Sequence, residues 1–217
     1  MTSVKTTRSY DSTGRREQAR RTREATLDSA NELFLSQGYG ATTVVSIADR
    51  AGVSVETLYK AFGGKPGLVK GIYERGLEGS RTSPPAYERS DAMREQESDP
   101  RAIMEKWGVL TAEVAAEVTP IRLLLRAAAS ADPTLAALLD DMDRQRLRRM
   151  RHHATFLQDG GHLRQGVTLQ EATDILWTCS SAELYELLVI KRRWSRRRFA
   201  AYVSDFMIAT LLPPQAG

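Results

Sequence analysis

The sequence predicts an all-α protein, with a small three-helix head at the N-terminus and a larger helical bundle after it. Three observations carry this. Apolar residues recur at three- and four-residue spacing and no convincing strand is found. Caps and breakers divide the chain into lengths that suit helices. One stretch, residues 42–65, reads as helix, glycine turn, helix. A chain of 217 residues with 41% hydrophobic content can bury one large domain, or a small one beside a larger one.

Taken in order, residues 1–14 hold few apolar side chains and many Thr and Ser, which predicts a disordered tail. The opening has no apolar signal-peptide core and no run of 18 apolar residues occurs, so a cytoplasmic protein without a membrane span is expected. Arg15, Arg16, Arg20, Arg21 and Arg23 then crowd the entry to a helix that Leu27, Ala30 and Phe34 would bury and Gly38 would end. Cations at a helix N-terminus oppose its dipole, so this arm either meets an external anion such as DNA phosphate or is a solvated tail.

Within 42–65, Val44, Ile47, Ala48 and Ala51 form one apolar stripe that Thr43 can cap, and Gly52 can supply the left-handed C-cap. Ser54 caps a second short helix, whose Val55, Leu58 and Phe62 face inward while Glu56, Thr57, Tyr59 and Lys60 face out. Residues 63–67 do not form a phosphate loop: no glycine stands at position 59, and Pro66 replaces the metal-binding Ser or Thr.

The order of Thr42, Thr43, Val44, Ile47, Ala48, Ala51, Gly52, Val53, Ser54, Thr57, Leu58, Tyr59, Phe62 and Lys65 resembles the DNA-binding segment of the TetR family of bacterial repressors. The resemblance implies a helix-turn-helix domain over 15–64, a connector helix over 65–78, and a ligand-binding and dimerisation domain over 79–217. The helix from Ser54 would enter the major groove with Val55, Glu56, Thr57 and Lys60 nearest base edges. Thr43, Tyr59 and Lys65 would hold phosphates, the first and last also because helix N-termini favour anions. Two departures stand out. Ala61 replaces a frequent histidine, and Val45 replaces a polar or basic base-reader and can offer only apolar contact.

Residues 79–100 are polar, with Pro84-Pro85, and predict a linker or loose loop. Helices are then expected over 101–118, 121–131, from the Asp132-Pro133 cap to Gln158, from the Thr168/Glu171 capping box to Ile190, and from Ser195 to the prolines at 213–214. The last two are similar to the final helix pair of a TetR subgroup, which implies a homodimer through about 168–190 and 196–212. Independently, Ala172, Ile175, Cys179, Ala182 and Val189 on one side, with Leu176, Leu184, Leu187 and Leu188 beside them, are more than one partner helix can cover.

Charge supports the division. Residues 1–75 hold 12 Lys and Arg against 8 Asp and Glu, while the remainder holds 19 against 19, so the whole surplus of +4 lies with the head. That fits a polyanion-binding head on a neutral body and argues against a sequence-independent nucleic-acid coater; the resemblance implies operator DNA, as an inverted repeat read by a dimer. No catalytic motif, metal-ligand pattern or cofactor box is found, which leaves a helical enzyme without support. His152 and His153 are adjacent on a helix and diverge by about 100°. The single Cys179 reads as a small buried residue. The resemblance implies release from DNA by a small-molecule effector, and Met104, Trp107, Leu124, Met142, Met150, Phe156 and Trp177 are candidates to line its pocket or to be plain core. The arginines at 192, 193 and 196–198 crowd another helix start. Asp140, Asp141 and Asp143, or Glu183 and Glu186 of the partner subunit, or solvent alone would compensate them.

Overall fold

The computed structural model describes residues 12–79 and 84–214, which form ten α-helices and, among the described residues, no strand. The head is α1 (Ser12–Gln37), α2 (Val44–Ala51) and α3 (Val55–Phe62). Next, α4 (Lys65–Glu78) leads to α5 (Ala86–Gln96), α6 (Pro100–Ala129), α7 (Pro133–Asp159), α8 (Leu169–Cys179), α9 (Ala182–Tyr185) and α10 (Arg196–Leu211). α9 continues into a π-helical turn, Glu186–Lys191. α10 lies along α6, α8 against α7, and α4 against both α1 and α6.

Two apolar cores hold this arrangement. Leu27, Phe34, Ile47, Leu58 and Leu68 are buried in the first, which runs on through Ile72 to Ile121, Leu125 and Leu135. The head therefore shares its core with the near ends of α6 and α7. The second core, with Ile103, Met104, Leu157, Phe199 and Val203, sits between α6, α7, α8 and α10. α10 approaches α6 closely because Gly108 has no side chain: a Cβ there would meet Ser204 Oγ and lie 2.8 Å from the Ala200 carbonyl.

Four sequence expectations are corrected. Residues 12–14 belong to α1, not to a tail, while residues 1–11 lie outside the described residues. The expected loose stretch 79–100 contains α5, which polar contacts secure. Trp107 Nε1 donates to the Ser90 carbonyl at 3.3 Å, and Arg149 donates to the Tyr87 carbonyl at 2.7 Å. Pro120 does not divide α6. It forfeits one backbone hydrogen bond, but buried neighbours Val118, Thr119, Ile121 and Arg122 hold the helix in place. The helix expected to run from 168 to 190 breaks at Ser180, and Ser181 caps a new start by accepting from Leu184 N at 3.2 Å.

Candidate nucleic-acid interface and body cavity

The two short head helices owe their bounds to side chains adjacent in sequence. Thr43 Oγ1 accepts from Ser46 N at 3.0 Å, and Ser46 Oγ accepts in return from Thr43 N at 3.2 Å, a reciprocal cap on α2. Gly52 ends α2 at φ 67°, ψ 33°, where its N–H reaches back to the carbonyls of Ala48 and Asp49. Ser54 Oγ caps α3 through Thr57 N at 3.0 Å. Leu58, 1% exposed, turns α3 onto the core. Its burial is worth about 2 kcal/mol and orients the rest of the helix.

Glu56, Thr57, Tyr59, Lys60 and Ala61 are therefore exposed together on α3, and Val45 is exposed on α2. Val55 is half-buried against the head core, so it stands at the edge of this surface. The Thr57 hydroxyl lies 2.8 Å from Ser54 Oγ, which occupies part of its hydrogen-bonding capacity. Ser54 and Thr43 are exposed beside the free N–H groups of the helix starts. Lys65 differs from its sequence expectation. Its Nζ donates to the carbonyls of Tyr39 at 2.6 Å and Thr42 at 2.9 Å, and rests 4.2 Å from the Tyr39 ring centroid. It ties the start of α4 to the α1–α2 connection. Along α1, Arg20 and Arg21 pair with Glu17 at 2.6 and 3.1 Å and hold its carboxyl down to about 2, while Arg23 lies over the Phe62 ring.

In the body, a cavity of about 290 Å³ opens between the two cores. Tyr73 and Leu77 of α4 form one wall, and α5 to α10 supply the others. Of the pocket candidates, Trp107 and Met150 line it. The other five do not. Met104 is fully buried in the second core, Met142 is buried in the first with Leu124 packed against it, Phe156 packs behind Trp107, and Trp177 carries the Arg146 guanidinium on its face. Size and hydrophobicity alone selected them, and core and cavity residues share both properties.

Sequence reasoning missed the polar lining: Thr119, Arg122, Arg146, Arg149 and His153. Arg122 Nη2 donates to Asp143 Oδ1 at 2.7 Å, and Arg146 Nη2 reaches the same oxygen at 3.4 Å. Arg146 Nη1 also donates to the Trp177 carbonyl and, at 3.0 Å, to Ser180 Oγ, so it caps the end of α8. Burial and the neighbouring Arg122 lower the pKa of Arg146. His153 is buried beneath Trp107, and burial pushes its pKa well below the ordinary value. Burial also raises the Cys179 thiol to about 12, leaving it an unreactive part of the wall. One signal for Arg122 was present: it interrupts the apolar run Ile121, Leu123, Leu124, Leu125.

Among the described residues, no three His, Cys, Asp or Glu gather to hold a metal, and no helix is long and apolar enough to cross a membrane. The arginines at 192, 193 and 196–198 form no ion pair there. Asp143 serves Arg122 and Arg146, Glu183 and Glu186 serve Arg126, and Arg198 stacks on Trp194 at 4.0 Å.

Comparison with known proteins agrees with this geometry. The family model for bacterial regulatory proteins of the tetR family matches residues 27–72, which run from α1 through the connection into α4. The HTH-type transcriptional repressor ComR of Escherichia coli is 36% identical over 56 residues, 26% of this chain and 27% of that protein. An uncharacterized HTH-type transcriptional regulator of Bacillus subtilis, YvkB, is 42% identical over 53 residues, 24% of this chain and 28% of that protein. These alignments thus span about a quarter of the curated relatives. Over nearly the whole chain the fold is shared with native NalD, the secondary repressor of the MexAB-OprM multidrug efflux pump in Pseudomonas aeruginosa. The TM-score is 0.69 at 19% identity, over 92% of this chain and 100% of that one. The SmeT–triclosan complex gives 0.68 at 22% identity, over 88% and 92%. Residues 27–72 thus match the tetR family of bacterial regulatory proteins in sequence, and the chain as a whole shares the all-helical fold of these solved regulators.

Proposed function

We propose that the protein is a homodimeric, sequence-specific transcriptional repressor that leaves its operator when a small molecule enters the body cavity. The observation that carries this is the exposed outer face of α3, Glu56, Thr57, Tyr59 and Lys60, held rigid by the buried Leu58 in a segment that matches the family model. Glu56, Thr57 and Lys60 read base edges, with Val55 at the rim and Val45 offering apolar contact. Thr43, Ser54 and Tyr59 meet phosphates. Lys65 acts mainly by fixing the head to α4, and any phosphate contact it makes is secondary.

Dimerisation rests on Leu187, Ile190, Tyr202 and Phe206, large apolar side chains that stay exposed on the π-turn and α10. Part of the sequence argument for the pair 168–190 and 196–212 does not carry over, because Ala172, Leu176 and Cys179 are spent on the chain's own core. The proposed interface is therefore narrower: 182–191 with α10. Tyr73 and Leu77 place α4 between the cavity and the head, and a ligand that displaces α4 would move α3 in each protomer. Selection from a random duplex library tests the reading. It predicts enrichment of an inverted repeat. Uniform recovery would contradict it and favour a sequence-independent nucleic-acid binder.

A further inference from the structure

The cavity wall contains three arginines and, among the described residues lining it, no carboxylate. Arg122 is the least compensated. It is 5% exposed, its Nη2 donates to Asp143, its guanidinium stands 5.8 Å from the centroid of the Tyr73 ring, and Nε and Nη1 are shut off from solvent without a hydrogen-bond acceptor among the described residues. Thr119 stands three residues earlier on α6, hence on the same face, fully buried and with its hydroxyl equally unpartnered. The charges around them do not balance. Arg122 and Arg146 share Asp143, and Arg94 and Arg149 share Asp91, four guanidiniums against two carboxylates. His153 adds no negative charge. Most of the remaining wall, including Leu110, Val114, Val118, Met150 and Met207, is apolar, although Ser90, Thr111, Gln145 and Ser180 also line it.

We propose that this cavity takes an apolar molecule with a single acidic headgroup, which accepts hydrogen bonds from Arg122 and Thr119 while its hydrocarbon body lies against the apolar wall. The inference rests on the effector reading above and specifies the chemistry of the effector. A guanidinium in low dielectric gains far more from an anion than from a neutral acceptor. A cationic amphiphile would face the uncompensated charge directly.

Isothermal titration of the full-length protein with decanoate, decyl phosphate, decan-1-ol and decylammonium, each below its micelle concentration, tests this. At least one of the two acids should bind tenfold or more tightly than decanol, decylammonium should bind weakest, and whichever acid is tighter identifies the headgroup. Arg122→Gln should reduce acid binding to the level of decanol and leave decanol unchanged, whereas Arg122→Lys should retain the preference for acids. Asp143→Asn, which removes the competing carboxylate, should tighten acid binding, an outcome that misfolding cannot imitate. Equal or tighter binding of decanol would overturn the acidic headgroup and leave the effector cavity standing. Failure of all four to bind would overturn both.

Discussion

Nζ of Lys65 sits within hydrogen-bond reach of two carbonyls of the α1–α2 connection, and burial lowers its pKa. A hydrogen bond from a charged donor contributes about 1.5–3 kcal/mol, so Lys65→Met should lower the urea midpoint measurably as well as weaken DNA binding. An unchanged midpoint with weakened binding would return Lys65 to a purely phosphate-holding role. The arginines at the start of α10 lead to an opposite expectation. With no ion pair to lose among the described residues of its own chain, Arg197→Glu should raise stability by about 0.3–1 kcal/mol, since an acid in the first turn complements the helix dipole. Calorimetry at low salt checks it, and a lowered midpoint would mean the cluster has a partner after all. Caps such as Thr43, Ser54, Asp132 and Thr168 were legible in the sequence because each acts within three residues of itself. The buried role of Arg122 and the internal role of Lys65 were not, because they depend on groups 21 to 26 residues away.

Among the elements, α6 does most to position the site. It faces α4 and the head core at one end, α10 along its length, and the cavity in between. Its approach to α10 requires Gly108. Gly108→Ala should cost about 1–3 kcal/mol, because Ser204 can rotate aside but the Ala200 carbonyl cannot. Chemical denaturation measures this, and a neutral result would show that the two helices can separate without loss. Helix existence was readable wherever apolar spacing marked it. It failed at α5, whose stability comes from Arg149 and Trp107 on other helices, and at Pro120, where packing overrides a local breaker. The break at Ser180 was obscured because Ser and Cys are compatible with both a helix and its end.

The whole molecule presents two exposed features: the α3 face in the head and the apolar strip of the π-turn and α10 in the body. Leu187→Glu with Phe206→Glu should convert a dimer to a monomer in sedimentation, since a buried unpaired charge opposes association by several kcal/mol. A wild-type protein that already sediments as a monomer would remove the dimer from the proposal. The most direct test of the central claim, that the exposed face of α3 reads sequence, is DNA binding by Lys60→Ala, Glu56→Ala and Tyr59→Phe. Each is compared with the wild type on the selected site and on a scrambled duplex across a range of salt. If that face reads sequence, Lys60→Ala and Glu56→Ala change which bases are preferred, while Tyr59→Phe weakens both duplexes alike. Equal losses on both duplexes for all three, with the preferred bases unchanged, would contradict it.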